Sequence, residues 1–439
     1  MNIRENIAKE AQDIYDKISK NGFSAYLVGG SLRDILLGKK IKDYDFAVSA
    51  KTEDLIKIFP AAIRFGEKFG TILVIKNDFK FEITTFRKES EYTDKRHPQK
   101  VEFIDNIEDD LKRRDFTMNS LAFDFENNII IDNDNGIKDI KDKIIRCQGD
   151  PQKRFEEDGL RLIRACRFSA VLGFSIEKET FDAIKKFAYI IDDISKERVR
   201  DEFLKIIDIR KPSVGIEILR NTTLLKYIIP ELLICIGVEQ NKYHSLDVYN
   251  HLLSSLDHAN KKVRIAALLH DIAKPQTKDG EHFYNHENIG ATMSEEILKR
   301  LKFSKNDIDM ITKLIRLHLF NYTSEWSDSA VRRFLVKVGD NKTLENLFLL
   351  RIADEKGNPK SEYSFKNLDE LKKRIDKIKK ENSALSLKDL EINGDDLIKI
   401  GFIKSKRIGD ILLEMLNMVI ENPSLNNREY LLEFAKKKL

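Results

Sequence analysis

Residues 27–48 read LVGGSLRDILLGKKIKDYDFAV, and this stretch determines the fold of the amino-terminal part of the chain. The apolar run that ends at Val28 predicts a buried strand, because a short apolar run before glycines is typical of one. Gly29-Gly30 then predicts a tight turn into a helix, and Gly38 is placed to end that helix. A second apolar run up to Val48 predicts another strand, so the order is strand, turn, helix, strand.

The start of this helix has the features of an anion site. Gly30 lets the backbone approach a ligand closely, and the first N–H groups of a helix point toward negative charge. Arg33 adds a forked donor for phosphate oxygens in the first turn, and the spacing of Ser31 and Asp34 predicts a capping box. A triphosphate suits such a site, although two glycines before a helix are equally typical of an ordinary turn.

Two carboxylates follow at the start of the second strand. Alternation along a strand places Asp43 and Asp45 on one face and Tyr44 on the other. At about 4 Å and an effective dielectric of ~20, two such charges repel by roughly 4 kcal/mol, which a divalent cation would relieve. Paired carboxylates of this kind hold two Mg²⁺ ions that activate a 3′-hydroxyl and stabilise a leaving pyrophosphate. In isolation the pair would also suit a solvated turn, but the preceding phosphate turn favours the metal site.

The periodicity of apolar residues changes once along the chain. Residues 1–21 have helical spacing, and strand patterns follow at 45–48, 70–75, 80–85 and 129–131. From about residue 150 onward helical patterns continue to Leu439, and Asp150-Pro151 suits a hinge at the change. We therefore predict an α+β chain with an α/β head, an all-α neck, a helical body and a helical tail. The predicted ranges are 1–148, 149–238, 239–360 and 361–439.

The composition is typical of a folded multi-domain protein. Of the 439 residues, 41% are hydrophobic and 34% charged, and the formal net charge is only +4. Any nucleic-acid surface must therefore come from local clusters of Lys and Arg. The three cysteines, Cys147, Cys166 and Cys235, are widely spaced, which argues against a disulfide framework. The amino terminus has scattered charges and no apolar core, so we expect a cytoplasmic protein without a membrane anchor.

Longer motifs give the chain a family resemblance. The stretch 27–48 resembles the signature of the class II tRNA nucleotidyltransferase and bacterial poly(A) polymerase family, within the DNA polymerase β-like superfamily. Further motifs of this family follow in order at 65–71, 84–87, 113–122 and 157–168. The resemblance implies addition or repair of the 3′-terminal CCA of tRNA from CTP and ATP, with Asp43 and Asp45 as the catalytic metal ligands.

The last of these motifs carries residues suited to choosing a base without a template. Cytosine and adenine present an exocyclic amino donor beside a ring-nitrogen acceptor, whereas uracil and guanine present the reverse order. Asp158 and Arg161, predicted to share a helix, supply the complementary pair, and the resemblance implies the same roles. Spacing alone would also suit a surface ion pair. Arg164 and Arg167 continue the row toward triphosphate or RNA, and by resemblance Arg114 faces the incoming nucleotide.

Two other segments bear on the same resemblance. The stretch 88–98 is too charged to pack and too long for a tight turn, and it resembles the flexible loop that the family needs for adding the terminal A. The tail contains a family-like segment at 401–409, in which Ser405 replaces a common glycine. A backbone contact to RNA phosphate that a glycine would allow at this position is therefore not expected to be the same at Ser405.

A second group of candidate residues lies on apolar helices in the carboxy-terminal half. His251, His270-Asp271 and Asp354 are ionisable residues in apolar surroundings, where a divalent metal would compensate their burial, although a lone histidine also suits a satisfied core position. Their order resembles the HD phosphohydrolase superfamily, in which His286 and His318 match positions that add ligands for a second metal. Imidazole mixed with carboxylate favours a transition metal such as Ni²⁺ or Mn²⁺. The resemblance implies hydrolysis of cyclic or terminal phosphates on damaged tRNA ends.

Three alternatives stay open at this level. A poly(A) polymerase shares the head chemistry, but the complete HD pattern and the lack of a strongly basic tail weigh against it. An enzyme that adds only the terminal A, beside a separate CC-adding partner, fits the same motifs. A phosphohydrolase with an RNA-binding head is disfavoured by the set Asp43, Asp45, Asp158 and Arg161. The expected partners are tRNA, CTP and ATP, with no membrane.

Overall fold

The protein forms two compact units, Met1–Pro230 and Glu231–Leu439. The computed structural model describes residues 3–66, 70–92, 98–241, 245–360, 365–381 and 384–439. The first unit combines a mixed β-sheet with helices, and the second is largely helical with one short hairpin. This is the α+β class that the sequence predicts.

A seven-stranded sheet forms the centre of the head in the first unit. The strands of this unit are β1 (Ala25–Val28), β2 (Asp43–Val48), β3 (Ile63–Gly66), β4 (Thr71–Lys76), β5 (Phe79–Thr85), β6 (Arg87–Tyr92), β7 (Pro98–Phe103), β8 (Ala122–Asp124), β9 (Ile129–Ile131), β10 (Ile144–Ile145) and β11 (Ser175–Ile176). The sheet has the order β3-β4-β5-β2-β1-β8-β9, in which β2 and β5 are parallel. β6 and β7 form a separate antiparallel pair, and β10 pairs with β11.

Helices surround this sheet and continue beyond it. The helices of the first unit are α1 (Lys9–Ser19), α2 (Gly29–Leu36), α3 (Thr52–Ile58), α4 (Ile107–Lys112), α5 (Gly136–Asp142), α6 (Pro151–Glu157), α7 (Leu160–Leu172), α8 (Lys178–Phe187), α9 (Lys196–Ile207), α10 (Pro212–Asn221) and α11 (Leu225–Ile228). The helical spacing predicted for α1 is confirmed, since Ala11, Ile14 and Ile18 are buried. α6 begins at Pro151, and the Asp150 side chain accepts from the Gln152 N–H at 3.0 Å.

Both faces of β2 are covered by apolar side chains, which fixes the direction of its acidic residues. Tyr44 and Phe46 pack on Phe81, with ring centroids 5.5 and 6.4 Å away. Ala47 belongs to a different buried cluster, which includes Val28. Successive strand residues alternate between faces, so Asp45 lies on the Ala47 side and Tyr44 on the other, as predicted.

The sequence mispredicted some local features of the head. The predicted capping box at Ser31 and Asp34 is wrong, because α2 begins at Gly29 and has no side-chain cap hydrogen bond. Ser31 lies inside the helix, where its hydroxyl donates to the Val28 carbonyl at 2.7 Å. The strands β3, β6, β7, β8 and β10 were not predicted from the sequence.

Two predicted segments fall partly outside the described residues. In the motif at 65–71, residues 67–69 lie outside the described residues. In the polar stretch 88–98, the same holds for residues 93–97. The described flanks of the polar stretch belong to β6 and β7, which pair from Arg87 opposite Phe103 to Tyr92 opposite Pro98. These flanks are therefore strands, although the sequence predicted an irregular loop.

The second unit is built mainly from packed helices. Its elements are α12 (Glu231–Ile234), α13 (Val248–His258), α14 (Arg264–Leu269), α15 (Lys274–Thr277), β12 (Lys278–Asp279), β13 (His282–Phe283), α16 (His286–Arg300), α17 (Lys305–Leu317), α18 (Asp328–Val338), α19 (Asn341–Gly357), α20 (Phe365–Lys380), α21 (Gly394–Lys399), α22 (Lys406–Glu421) and α23 (Arg428–Lys436). A Cβ at Gly357 would overlap Ser255, so glycine lets α19 approach α13 closely. This approach brings Asp354, one turn earlier in α19, toward His251 in α13.

The last helices of this unit share a core of their own. Leu397, Met415, Val419 and Leu431 are buried in one cluster. α21 begins with a complete capping box at Asn393, so this turn of the tail is well defined. Among the described residues, no helix has both the length and the apolar character needed to cross a bilayer.

Candidate active site and metal centre

The head contains a polar cavity of about 510 Å³. It is lined by side chains from the strands β2 and β5 and from the helices α2 and α7. The residues predicted from the sequence that line it are Gly30, Arg33, Asp45, Arg114, Asp158, Arg161 and Arg164. Residues separated by more than a hundred positions therefore meet at one place. Asp43 and Arg167 were also predicted but do not line this cavity.

Asp45 is the central carboxylate of the cavity. Its backbone N–H donates to Ser31 Oγ at 3.1 Å, and its Oδ2 accepts from the Ser31 N–H at 3.4 Å. Burial raises the pKa of Asp45, and the charge of Asp43 adds to that rise, while the Arg114 guanidinium opposes it. Asp43 is exposed at the first position of β2. Asp45 is thus held in place by α2 and lies within electrostatic range of Asp43.

Glu82 is a third carboxylate of the cavity that the sequence did not identify. In the parallel pairing of β2 and β5, Glu82 lies opposite Asp45. Desolvation raises the pKa of Glu82, and the charge of Asp45 adds to the rise. Alternation within β5 was the available signal, because Glu82 interrupts the buried pair Phe81 and Ile83. Clustered carboxylate oxygens with raised pKa values form a donor set that suits a hard cation such as Mg²⁺.

Gly29 is required where α2 meets these charges. Its φ is +66°, in the left-handed region that favours glycine. A Cβ at this position would lie 3.0 Å from Arg114 Nη1 and 3.2 Å from Asp45 Oδ2. The glycine therefore lets the backbone turn between two side chains of the site.

We expect Gly29→Ala to reduce nucleotide addition by about tenfold or more, because the new methyl group would displace Asp45 and Arg114. The substitution should also cost about 1–2 kcal/mol for the left-handed backbone. Gly22→Ala is the matched control, since Gly22 has φ +83° and nothing within 4 Å of an added Cβ. Thermal unfolding and addition rates of both variants test this, and an equal loss of activity in the two would contradict it.

Guanidinium groups line the cavity together with Asp45, and each is held by a neighbour. Arg33 donates to Asn119 Oδ1 at 2.8 Å, and Arg114 pairs with Asp110 at 3.1 Å. Arg164 pairs with Asp115 at 2.5 Å. Burial disfavours the Asp115 carboxylate, but Arg164 and the other donors around it lower its pKa to about 2. The cavity therefore presents fixed positive charge to an anionic ligand.

Asp158 and Arg161 lie close together, but in a different arrangement from the one predicted. Asp158 is in the extended junction between α6 and α7 rather than on a helix, because its backbone ends α6 with φ −142°. Its Oδ1 accepts from the Leu160 N–H at 3.0 Å, and its Oδ2 pairs with Arg198 at 3.0 Å. Arg161 donates to Glu157 Oε2 at 2.6 Å. Both predicted base-reading groups thus have defined partners, and Arg198 was not predicted from the sequence.

Arg167 does not line the cavity. It pairs with the buried Glu202 at 2.6 Å, and its guanidinium lies 4.0 Å from the Phe168 ring centroid. The row from Arg161 through Arg164 to Arg167 winds around α7, so its last member reaches α9 instead. Its position favours a structural contact over a ligand contact.

In the second unit, the predicted HD residues meet at one buried cluster. His251 Nε2 lies 3.0 Å from Asp354 Oδ1 and 3.3 Å from His270 Nε2. His270 Nε2 lies 3.3 Å from Asp354 Oδ1 and 3.4 Å from Asp271 Oδ2. Ligand atoms of His251, His270 and Asp354 all lie within 4.8 Å of one another. The order of these residues in the sequence therefore corresponds to a compact group in space.

Asp271 connects this group to a second one. Its other oxygen, Oδ1, lies 3.2 Å from His286 Nε2 and 3.5 Å from His318 Nε2. These three atoms are buried and have no hydrogen-bond partner among the described residues. Converging unpartnered acceptors are costly unless a cation lies between them. The arrangement therefore fits a metal at each side of Asp271.

Hydrogen bonds at the far side of each ring orient the imidazoles. Nδ1 of His270, His286 and His318 lies 2.9, 2.7 and 2.6 Å from the carbonyl oxygen three residues earlier. A proton on Nδ1 leaves the lone pair of Nε2 directed at the cluster, as metal-binding histidines require. The Asp271 and Asp354 carboxylates outweigh burial and raise the pKa of His270 to about 10, so the cluster favours positive charge.

Three protein families match successive parts of the chain. "Poly A polymerase head domain" matches residues 25–146, and "Probable RNA and SrmB- binding site of polymerase A" matches residues 173–235. "HD domain" matches residues 242–358. The head cavity lies largely within the first match, and the histidine cluster lies within the third.

Similar proteins extend over the full length. The CCA-adding enzyme of Ligilactobacillus salivarius is 34% identical over 100% of this chain and 99% of its own length. The chain belongs to the CCA-adding enzyme family. The CCA-adding enzyme of Enterococcus faecalis is 31% identical over 98% of this chain and 96% of its own. The CTP complex of the Bacillus stearothermophilus CCA-adding enzyme matches 98% of both chains, with 27% identity and a TM-score of 0.72.

Two further cations border the HD cluster of this CCA-adding enzyme family member. Lys274 Nζ lies 2.6 Å from Asp271 Oδ2, and Arg351 pairs with Asp354 at 3.3 Å. Both line a cavity of about 340 Å³ that also exposes Asp271, His286 and His318. Neither was predicted from the sequence, although Lys274 follows Asp271 by only three residues. They give the cavity the charge expected of a phosphate site.

Proposed function

We propose that this chain completes and repairs the 3′-terminal CCA of tRNA, using CTP and ATP. The observation that carries the proposal is the head cavity, in which Asp45, Arg114 and Asp158 line one space. The cavity brings together carboxylates that would bind the catalytic metal, guanidiniums that would bind the triphosphate and a carboxylate that would recognise the base edge. The names of the full-length relatives support CCA addition over poly(A) synthesis.

We further propose that Mg²⁺ binds the head through Asp43 and Asp45, with Glu82 close enough to assist. Bound there, it would supply the positive charge that favours ionisation of the primer 3′-hydroxyl and neutralises the leaving pyrophosphate. The oxygen donor set and the raised pKa values of Asp45 and Glu82 support this assignment. Arg167 is omitted from the proposed nucleotide site, because Glu202 holds it elsewhere.

The chain's own residues would orient the reactants. Arg33 and the first N–H groups of α2 would bind the triphosphate, and Arg114 and Arg164, which line the same cavity, would add further donors. The primer 3′-oxygen forms a bond to the α-phosphorus, the bond to pyrophosphate breaks, and the hydroxyl proton leaves to solvent or a carboxylate. Gly30 lines the same cavity, where its backbone lets the phosphates approach.

We expect Asp158→Ala to relax selection against UTP by about tenfold or more relative to CTP. The Asp158 carboxylate accepts from the amino group of cytosine or adenine and repels the O4 carbonyl of uracil, and such a pair contributes about 1–3 kcal/mol of discrimination. The ratio of CTP to UTP incorporation into tRNA lacking CCA measures the effect. Asp150→Ala is the control, because it removes a cap from the adjacent helix α6 but lies outside the cavity lining. Unchanged selectivity would mean that other groups read the base.

The proposed activity is tested by the pattern of additions. Transcripts of tRNA that lack CCA, lack CA or lack only A are incubated with each labelled triphosphate. We expect C, then C, then A, followed by termination. Addition of A alone would identify an A-adding enzyme, and continued A addition would identify a poly(A) polymerase.

A second activity is favoured by the HD cluster. We propose that His251, His270, Asp271 and Asp354, with His286 and His318, hold transition-metal ions such as Ni²⁺ or Mn²⁺ and that the cavity beside them hydrolyses phosphate esters at tRNA ends. The two-sided contacts of Asp271 support this proposal. In cyclic-phosphate hydrolysis, a water oxygen bonds to phosphorus, one ring P–O bond breaks, and the departing ribose oxygen takes a proton.

We also propose the division into head (1–148), neck (149–238), HD body (239–360) and tail (361–439). The matches at 25–146, 173–235 and 242–358 support this order. Under this proposal the neck and tail bind tRNA. Ser405 directly precedes α22 and makes no side-chain cap hydrogen bond.

A further inference from the structure

We propose that the hairpin beside the HD cavity is a stacking platform for the base of a nucleoside that carries a ribose phosphate. This inference rests on the proposed phosphoesterase activity and adds the substrate contact that gives it specificity. The platform consists of the rings of His282 and Tyr284. Its ligand is a nucleoside with a 3′-phosphate or a 2′,3′-cyclic phosphate, either free or at an RNA end.

The two rings form an exposed aromatic surface. His282 and Tyr284 are stacked, with ring centroids 5.3 Å apart and an interplanar angle of 24°. Tyr284 is 64% exposed, so much of its ring is open to solvent. His282 also lines the cavity, so the stack extends from the cavity wall into solvent.

The platform is connected to the histidine–aspartate cluster by the backbone and by hydrogen bonds. The neighbouring Phe283 accepts from His286 Nδ1 at 2.7 Å through its carbonyl, and Lys274 lies 5.3 Å from the Phe283 ring centroid. β12 and β13 pair around Gly280, and Lys278 donates to the Glu239 carbonyl at 2.8 Å. A ligand held at His286 therefore meets the rings at a defined distance.

The chemistry around the platform selects a nucleotide. Lys274 and Arg351 suit a phosphate group at the cluster, while Leu319, 54% exposed, offers apolar surface at the cavity wall. Exposed aromatic rings next to a phosphate site are the means by which proteins bind single nucleotides and unpaired RNA ends. A simple phosphate ester without a base would use only the inner half of this site.

The test compares two cyclic esters that differ in the base. Hydrolysis of adenosine 2′,3′-cyclic phosphate and of glycerol 1,2-cyclic phosphate is measured for the wild type, Tyr284→Ala and Tyr284→Phe. We expect Tyr284→Ala to raise KM for the adenosine ester about 5- to 100-fold and to leave the glycerol ester unchanged. Tyr284→Phe keeps the ring and should behave as wild type. Ile289→Ala, an exposed position of α16 outside the cavity lining, is the surface control.

A binding measurement separates this inference from the activity on which it rests. A nucleotide of 2-aminopurine with a 3′-phosphate is titrated with the full-length protein without added metal, and quenching from the head, which all variants share, is subtracted. Stacking should quench its fluorescence for the wild type and Tyr284→Phe, but not for Tyr284→Ala. Quenching without hydrolysis of either ester would reject the phosphoesterase and retain the platform. Equal quenching by all variants, or an equal KM change for both esters, would overturn the platform.

A trinucleotide that ends in the same cyclic phosphate distinguishes the two sources of the ligand. A KM for the trinucleotide below that of the mononucleotide, with the same dependence on Tyr284, would assign the platform to RNA ends. A lower KM for the mononucleotide would assign it to free nucleotides. If Tyr284→Ala changes neither KM, the platform is wrong for both.

Discussion

Asp45→Ala is expected to lower nucleotide addition at least about 100-fold, the scale of losing one preorganised electrostatic group. Asp45 is fixed by Ser31 and lies opposite Glu82. Its removal would take away the buried oxygen ligand and one of the carboxylates near Arg114, which keeps its ion pair with Asp110. Single-turnover addition of CMP to tRNA lacking CCA measures the loss. The rate of CMP addition by Asp43→Ala should also decrease.

tRNA binding should stay near wild type in this variant, because phosphate contacts and not the catalytic carboxylates supply affinity. Asp78→Ala is the matched control, since Asp78 lies in the turn between β4 and β5 with 84% of its side chain exposed. Its activity should equal that of the wild type. Activity of Asp45→Ala above a tenth of wild type would refute the metal-ligand assignment.

Replacing His270 and Asp271 together by Ala should abolish transition-metal retention and ester hydrolysis while leaving CCA addition within a few-fold of wild type. His270 and Asp271 supply contacts to both groups of ligands, so their loss dismantles both metal sites. The head belongs to the other compact unit and should keep its activity. The protein is incubated with Mn²⁺ or Ni²⁺, free metal is removed by gel filtration, and the retained metal is measured. Assays of ester hydrolysis and of CCA addition complete the test.

The design must separate loss of metal from loss of folding. Removal of Asp271 leaves the buried Lys274 without its carboxylate partner, which would destabilise the unit. His318→Gln is therefore the milder variant, expected to reduce metal content with less effect on thermal unfolding. His258→Ala, at an exposed position of α13, is the control that should change neither. Loss of CCA addition in a folded double variant would show that the HD residues support the head or tRNA binding.

Local sequence patterns were sufficient for features that depend on neighbours along the chain. The period of apolar residues predicted α1. The alternation of residues along β2 predicted that Asp45 and Tyr44 lie on opposite faces of the sheet. The spacing of glycines predicted the turn before α2, and Gly38 follows its end with φ +73°. The order of the HD residues along the chain matched a known pattern, and this match was sufficient to predict residues that meet in space. Backbone periodicity and short-range sterics determine such features, so the sequence contains them directly.

Contacts between distant elements were decided only by the tertiary structure. The register of β2 against β5 places Glu82 beside Asp45, and the packing of α9 brings Arg198 to Asp158. The close packing that carries His286 and His318 to the far oxygen of Asp271 depends on α16 and α17 together. Even the start of α2 was set by backbone dihedral angles, which overrode the cap that Ser31 suggested. These outcomes depend on register and interhelical distance, which are set by the packing of whole elements and are not encoded in the spacing of any single motif.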